Sequence, residues 1–512
     1  MKTNTLSFPS AFVAALLAAI AALSSANAAD QTYDDTNVNN VWDLTTANWV
    51  SPTVWANGNS AIFGGTGESV NVDAAISAAS ITFNVGGYTI ADGDNNGSLT
   101  LTGATVVTGS NTSGTNTIGE NITLSGGGTK NFLQNGTGTL ALTGIISEST
   151  AGTAVTYARS GTAGALFTVT GLNTYTGTTS LNDGTLTVSS IGSTTAAGAL
   201  GQGTTLNFGS ATSSRTAALV YTGNGETTDK VINLGTGSGG RSIDTTGATG
   251  GLVFTSDTTI NGTGAAVLTL LGNTTGNAIN GKIVDPTGST TGVTKGGDGT
   301  WALGGANTYT GTTTVSAGTL LINGNASSAT GAVAVNVGTL GGNGTIGGDV
   351  TIANVTTAIL APGTAADATE TLALNTKNLT FSGSNSQLKL DITGTAAGSF
   401  DRVVGINTLA QFGAITFNLT GTYGTASWDV LDFTGLLASS HFSTIALTGT
   451  YAGNLTRGIG PSNTWTGNVG GQAWTYEETT GVLGVVPEPS TWALLAFSLT
   501  TVMVLRRRRR TL

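Results

Sequence analysis

The sequence predicts an all-β protein: an elongated, right-handed parallel β-helix (β-solenoid) of Gly/Thr/Asn-rich repeats with a β cap at each end. Three observations favour this fold. Apolar and polar residues alternate in short runs such as Leu99-Thr100-Leu101-Thr102. Glycine, at 78 of 512 residues, separates these runs at short intervals. Several motifs recur along the chain.

The clearest repeat is GLNTYTGTT at 171–179, which returns as GANTYTGTT at 305–313. Each copy runs on to a Gly-Thr-Leu turn and strand, at 184–186 and 318–320, and a second element at 136–144 matches 297–305. Strands this short cannot bury a face singly, so stacking coil on coil would supply the core. With ~20 residues per coil and ~4.8 Å per step, we expect a rod roughly 100 Å long. The alternative fold is an array of β-sandwiches.

Changes in composition divide the chain further. Residues 29–103 contain Trp42, Trp49 and Trp55 and are interpreted as an N-terminal β cap region that covers the first coil. Residues 104–363 hold the repeats and form the predicted solenoid. From 364 to 485 the strands lengthen and lose glycine, which predicts a separate C-terminal β module, or the end of the rod with its cap.

The first 28 residues have the three parts of a secretory signal peptide: a positive charge at Lys2, an apolar Leu/Ala-rich segment that would form a signal helix, and a small-residue exit. Ala26 and Ala28 carry the small side chains that a signal peptidase accepts, so cleavage is expected after Ala28. The alternative is an uncleaved N-terminal anchor.

The other end, 486–512, begins with Pro487, Glu488 and Pro489 after a predicted last strand. A mostly apolar segment at 491–505 follows; as a helix it spans roughly 22 Å, which is short for the ~30 Å hydrocarbon core of a bilayer. The chain then carries a basic cluster of Arg506, Arg507, Arg508, Arg509 and Arg510. Such a cluster stays cytoplasmic, so the segment is a predicted transmembrane helix that leaves the main body outside.

This tail resembles the PEP-CTERM sorting signal, which combines a Val-Pro-Glu-Pro motif, a short membrane segment and terminal arginines. The resemblance covers 486–512 and implies recognition and removal by an exosortase, a membrane cysteine peptidase. It also implies a link to exopolysaccharide and biofilm, since similar tails occur on such proteins. An ordinary tail anchor is the alternative.

The repeats resemble the autotransporter-associated β-strand repeat, on KGGDGTWAL at 295–303 followed by NTYTG at 307–311. The resemblance extends weakly from about 100 to 363 and implies a β-helical passenger. Autotransporter passengers are usually followed by a long barrel domain. Since a sorting tail stands at that position here, we expect export through the signal peptide rather than through a barrel of the chain's own.

Composition limits the function. Without its two terminal segments the chain has eleven Lys/Arg against twenty-six Asp/Glu, a net charge of −15 that argues against nucleic acid as a partner. Cysteine is absent, so no thiol nucleophile and no Cys-ligated metal can form. Backbone ladders and packing must stabilise the secreted chain without disulfides.

Few residues suggest chemistry, and no catalytic residue, metal ligand or cofactor is predicted. The single histidine, His441, has no local nucleophile or orienting partner and is interpreted as a surface turn residue. Residues 92–97 resemble half of a calcium loop but lack the closing glutamate, and a hairpin turn is favoured. The acids, such as Asp183, Asp229 and Asp285, lie singly in turns, whereas an enzyme would more often cluster them.

Threonine and tyrosine in the repeats suggest two binding functions. Outward rows at 178–179 and 312–314 could order water, as in an ice-binding β-solenoid, although strict Thr-x-Thr ladders are not sustained in the sequence. Tyr175 and Tyr309 could stack on sugars, although a packing role is favoured.

The sequence therefore predicts an exported structural or adhesion protein of the cell surface, outer membrane or extracellular matrix of a Gram-negative-type bacterium. Its precursor would be anchored in the inner membrane, with signal peptidase, an exosortase and exopolysaccharide as partners. The alternatives are a polysaccharide lyase or hydrolase and an ice-binding protein.

Overall fold

The computed structural model describes residues 28–486 apart from 35, 37–38, 51, 94, 162–163, 365–368 and 459–462. This part of the chain is all-β, as predicted, and forms 48 strands without a helix. No helix within the described ranges is therefore long and apolar enough to cross a membrane. The chain divides into two compact units, with the boundary between Gly177 and Thr178.

The first unit contains sixteen strands. In chain order they are Asp30–Thr32 (β1), Val41–Trp42 (β2), Ser60–Phe63 (β3), Ser69–Val72 (β4), Ala75–Ala78 (β5), Ser80–Phe83 (β6), Thr89–Ala91 (β7), Ser98–Leu101 (β8), Thr105–Gly109 (β9), Thr115–Ile118 (β10), Ile122–Leu124 (β11), Thr129–Gln134 (β12), Thr139–Leu142 (β13), Ile146–Glu148 (β14), Ala154–Ala158 (β15) and Leu166–Val169 (β16).

Within this unit the strands stack in three parallel ladders. Their orders are β1-β3-β6-β9-β12-β15, β2-β4-β7-β10-β13-β16 and β5-β8-β11-β14. Each strand thus pairs with the strand one coil further along the chain. This is the pairing of a β-solenoid, whereas β-sandwiches are built from antiparallel pairs.

The second unit contains the other 32 strands. They are Thr179–Leu181 (β17), Gly184–Val188 (β18), Thr205–Phe208 (β19), Ala217–Tyr221 (β20), Asn224–Thr228 (β21), Val231–Gly235 (β22), Arg241–Asp244 (β23), Gly250–Phe254 (β24), Thr259–Asn261 (β25), Ala266–Leu271 (β26), Asn277–Ile279 (β27), Thr291–Lys295 (β28), Thr300–Leu303 (β29), Thr313–Val315 (β30), Thr319–Ile322 (β31), Asn325–Ala326 (β32), Val333–Val335 (β33), Gly338–Gly341 (β34), Thr345–Ile346 (β35), Val350–Ile352 (β36), Ala358–Leu360 (β37), Thr371–Phe381 (β38), Gln387–Ile392 (β39), Arg402–Gln411 (β40), Ala414–Leu419 (β41), Ala426–Asp429 (β42), Leu431–Leu436 (β43), Thr444–Gly449 (β44), Gly453–Arg457 (β45), Thr464–Val469 (β46), Gln472–Glu477 (β47) and Val482–Val486 (β48).

Parallel ladders also build most of the second unit. One is β17-β19-β22-β25, and another runs β18-β20-β23-β26-β28-β30-β33-β36-β38-β40-β43. The third runs β21-β24-β27-β29-β31-β34-β37-β39-β41-β44. Thr300 and Thr319, which pair on neighbouring coils, lie 19 residues apart, in agreement with the ~20 residues expected per coil. Other coils are longer, since Gly184 pairs with Ala217, 33 residues further along the chain.

The N-terminal aromatic residues are packed together. Trp42, Trp49 and Trp55 are buried, and their rings lie 4.7 to 5.4 Å apart between centroids. However, the strands around them pair in the same parallel way as those that follow: β6 pairs with β9 past Gly103. The change in composition near 103 therefore does not mark a change in strand pairing.

The last strands form an antiparallel cap. Parallel stacking continues past residue 363, since β37 pairs with β39 and β36 with β38, and it ends at β44. From there β45, β46, β47, β48 and β42 pair antiparallel in that order. Trp428 and Trp474 stack at 6.0 Å in this region. Of the two readings of the C-terminal region, the strand pairing favours the end of the solenoid with its cap.

Candidate functional site

Outward-facing threonines and serines occupy equivalent positions in successive coils. In the first unit, strand register aligns Ser77, Thr100, Thr123 and Ser147. In the second unit the same kind of row, in coil order, is Ser242, Thr269, Thr294, Thr314, Ala334, Thr351 and Thr380. Of the threonines singled out in the sequence, Thr314 lies in this outward row. Thr179 and Thr313 point inward, are only 1% and 2% exposed, and cannot belong to the proposed water-ordering rows.

A groove runs over the outer face of the β29–β44 ladder, which we call the threonine groove. Strand register aligns Thr300, Thr319 and Thr339 at one side of it. The groove has a volume of about 580 Å³. Its lining consists of Thr300, Thr319, Leu321, Thr339, Ala361, Pro362, Gly363, Thr364, Lys389, Asp391, Thr416, Asn418 and Thr448.

Strand alternation explains why hydroxyls line this groove. Trp301, Leu320 and Leu340 are fully buried, and each follows one of the three aligned threonines in its strand. Because successive side chains point to opposite faces, burial of these residues turns the threonines outward. The core therefore fixes the position of the polar lining.

One wall of the groove is the segment 361–364, which folds back beside the end of β34. Gly342 and Gly363 exchange two backbone hydrogen bonds of 2.9 and 3.0 Å. A Cβ on the neighbouring Gly341 would lie 2.5 Å from the carbonyl oxygen of Ala361 in the wall. Only glycine at this position allows the wall to approach the strand so closely.

Two charged side chains of opposite sign enter the groove from β39. Lys389 is exposed, and Asp391 accepts a hydrogen bond of 2.8 Å from the Asn418 side-chain amide. The backbone N–H of Asp391 donates to the carboxyl of buried Asp401 at 2.9 Å. The buried Asp401 carboxyl therefore holds β39, the strand that carries Lys389 and Asp391, in place.

Burial raises the pKa of Asp401 to about 7 from its ordinary value of 3.8, and the nearby charges of Asp391 and Glu370 add to the increase. Hydrogen bonds donated by the backbone N–H groups of these two residues act in the opposite direction. Between about pH 4 and pH 7, the Asp401 carboxyl is therefore protonated in the folded chain and ionised in the unfolded chain.

We expect this proton to make stability depend on pH. Since the pKa is higher in the folded state, the stabilisation is complete below about pH 4 and is lost as the pH rises through about 7. In urea unfolding, the midpoint of the native chain minus that of Asp401→Asn should decrease from pH 5 to pH 8, because only the native chain titrates at this position. A signed difference that stays constant or increases over that range would contradict the assigned pKa.

Other acids bind backbone N–H groups of a neighbouring coil. Glu148 accepts hydrogen bonds from the backbone N–H and hydroxyl of Thr176, at 3.0 and 2.5 Å. Asp285 accepts the same pair from Thr310, at 2.8 and 2.6 Å. Both threonines occupy the same position of the repeated NTYTG motif. These carboxylates are therefore structural clamps between coils.

The asparagine of the same motif makes a second inter-coil contact. The Asn173 side-chain oxygen accepts a hydrogen bond of 2.7 Å from the backbone N–H of Ile146, and Asn307 accepts one of 2.8 Å from Ile283. Tyr175 and Tyr309, two residues after the asparagine in each motif, are 0% and 3% exposed. They cannot stack on sugars from outside, which confirms the packing role.

His441 is part of an ion-pair cluster rather than a simple surface turn. Its Nδ1 lies 2.8 Å from a carboxylate oxygen of Glu478, whose side chain is fully buried. The other oxygen of Glu478 accepts hydrogen bonds from the Phe442 backbone N–H and the Trp465 indole, at 3.0 and 2.8 Å. A guanidinium nitrogen of Arg457 lies 2.8 Å from the ring. The sequence offers no local partner for His441, and the structure supplies Glu478 and Arg457 from elsewhere in the chain.

This cluster could not be found from the sequence, because Glu478 lies 37 residues from His441 and no motif connects them. The ring contacts that the structure describes are to a carboxylate and a guanidinium. Neither group is the hydroxyl or thiol that a triad histidine activates, so these contacts do not have the pattern of a catalytic triad. Its evident role is to fasten the cap to the last parallel coil.

The segment 92–97 is a corner between sheets and not a hairpin. β7 and β8, on its two sides, belong to different parallel ladders. The Asp92 carboxylate accepts hydrogen bonds of 2.7 Å from the backbone N–H groups of Asn95 and Gly97. Within the described ranges, no three His, Asp or Glu side chains converge in a way that could hold a metal ion.

The predicted processing sites lie outside the described residues. These are Ala26 in the signal segment, the motif Pro487, Glu488 and Pro489, the apolar segment 491–505 and the arginine cluster 506–510. Ala28 is the first described residue, and the predicted last strand is present as β48.

Comparison with known proteins agrees with the repeats. The Passenger-associated-transport-repeat family model matches residues 166–188 and 293–322, which contain the strands around both NTYTG motifs. The chain is also 29% identical over 381 residues, 72% of its length, to the adhesin BmaC autotransporter of Brucella suis biovar 1 (strain 1330). It spans 10% of the length of that relative. The chain thus carries passenger-associated-transport repeats on a β-solenoid and is similar to an autotransporter adhesin.

Proposed function

We propose that this chain is an exported surface or matrix protein of a Gram-negative-type bacterium that acts by adhesion. The observation that carries the proposal is the similarity to an autotransporter adhesin along 72% of the chain. The parallel ladders support it, because backbone pairing from coil to coil builds a stable scaffold without disulfides.

The environment of the acids favours binding over turnover. Glu148, Asp285 and Asp401 each accept backbone N–H groups and hold neighbouring segments together. Meanwhile the threonine groove offers hydroxyl groups on a rigid sheet. Exopolysaccharide is the partner that we propose, since its hydroxyl groups match this lining.

Adhesion can be tested in cells. A strain that lacks the chain should retain less exopolysaccharide at its surface, and adding the mature protein from the parent strain should restore retention. Equal retention with and without the chain would contradict the proposal. Shortening of the polysaccharide by the added protein would instead indicate an enzyme.

We further propose that an exosortase sorts the chain through its tail, on the basis of the Pro487-Glu488-Pro489 motif and the arginine cluster that follows it. The position of β48 supports this proposal. It pairs with β42 on one side and β47 on the other, so the folded cap includes its last strand before the motif begins. Removal of the tail would leave this cap intact.

Replacing Pro487, Glu488 and Pro489 together by alanine should leave the precursor uncleaved and bound to the membrane, because the peptidase would lose its recognition motif. Mass spectrometry of the surface-exposed protein measures the outcome and also locates the N-terminus, which is expected at Ala29. Peptides that contain 492–505 in the native surface pool would show that the segment is a permanent anchor.

A further inference from the structure

We propose that the threonine groove binds an uncharged polysaccharide whose chain runs across the strands, along the stacking direction of the coils. This inference rests on the proposed adhesive function and names its site and ligand class. The groove extends from Thr300 on β29 to Thr448 on β44, so a ligand that fills it must cross several coils.

The register of the groove suits a chain of repeating sugar units. Thr300, Thr319 and Thr339 are direct neighbours on adjacent strands. Adjacent strands lie ~4.8 Å apart, a distance comparable to one sugar residue of an extended glycan. Over these three strands, a chain along this direction would meet one threonine hydroxyl per sugar, and the row then continues to Ile359.

The lining also matches the two kinds of surface on a sugar ring. Threonine hydroxyls both donate and accept hydrogen bonds, Lys389 donates, and Asp391 accepts. Leu321 and Pro362 add apolar surface, on which the C–H face of a ring can rest. Asp391 is already held by Asn418 at 2.8 Å, so its carboxylate is positioned before a ligand arrives.

Charge favours an uncharged ligand. One lysine and one aspartate line the groove, so their charges cancel. The body of the chain has an excess of fifteen negative charges, and this field repels a polyanion such as a polyuronate. An uncharged glycan avoids this repulsion and still satisfies the hydroxyl lining.

The site can be tested with a matched pair of variants in the full-length protein. Thr339→Trp places an indole in the groove, while Thr269→Trp makes the same change at an outward position of the β18–β43 ladder, outside the groove. The probe is exopolysaccharide extracted from the producing strain. We expect Thr339→Trp to weaken binding at least tenfold and Thr269→Trp to leave it within twofold of the native chain.

The outcomes separate the site from the general function. If the native chain binds and both variants bind equally well, adhesion stands and the groove is not the site. If the native chain does not bind, the adhesive function itself fails, and the inference fails with it. A second arm uses exopolysaccharide whose carboxyl groups have been reduced to alcohols. Binding should be unchanged or stronger, and a tenfold loss would show that the ligand is an acidic glycan.

Discussion

Replacement of Glu478 by glutamine is expected to lower the free energy of unfolding of the C-terminal cap by about 3 kcal/mol. The carboxylate is fully buried and faces four donors: the Phe442 backbone N–H, the Trp465 indole, His441 and Arg457. Glutamine keeps one acceptor oxygen but turns an amide N–H₂ group toward the other donors. The variant therefore loses charge-assisted hydrogen bonds at a fully buried position.

The change can be followed by tryptophan fluorescence during urea unfolding, because Trp465 contacts Glu478 directly. Glu477→Gln is the matched control. Glu477 is the preceding residue, is partly exposed and accepts hydrogen bonds from the Thr464 hydroxyl, so its replacement should cost less than about 1 kcal/mol. Equal effects of the two substitutions would contradict the role of Glu478 as the cap's anchor.

Replacement of Trp301 by alanine is expected to cost about 4 kcal/mol, the largest effect of any substitution considered. Trp301 is fully buried inside the coil of the second repeat. Its indole N–H donates to the carbonyl oxygen of Leu271, 30 residues earlier in the chain, at 2.8 Å. The variant would lose both the ring's packing and a bond between neighbouring coils.

Trp301→Phe separates these two contributions, because phenylalanine keeps an aromatic ring and loses the N–H donor. We expect a cost of about 1 to 2 kcal/mol for this variant. Urea unfolding of the intact protein measures both, with circular dichroism as the signal. A loss below 1 kcal/mol for Trp301→Ala would show that the coil does not depend on packing at this position.

Much of the fold could be predicted from local pattern. The alternation in Leu99-Thr100-Leu101-Thr102 predicted a strand with two buried leucines, and both are 0–1% exposed in β8. The recurrence of NTYTG predicted a structural repeat, and the matching inter-coil bonds of Asn173 and Asn307 agree with it. These features depend on residues close in sequence, so period and repeat reveal them.

The candidate site was harder to predict from the sequence, because it depends on register between distant segments. Thr300 and Thr339 meet only through the pairing of three successive strands. The inward side chain of Thr313 accepts or donates a hydrogen bond with the Tyr309 hydroxyl at 2.7 Å, a contact that offsets the burial of its own hydroxyl. Threonine is common on the outer face of strands, so the sequence predicted that Thr313 points outward. The hydrogen bond with Tyr309 holds it inward instead.

The central claim is that the mature chain binds the polysaccharide of its own bacterium without degrading it. Co-sedimentation of the mature protein with that exopolysaccharide, followed by size analysis of the polysaccharide, tests both parts in one measurement. Adhesion predicts saturable binding and an unchanged size distribution. Protein that stays in the supernatant when the polysaccharide sediments, or a polysaccharide that becomes shorter, would contradict the claim.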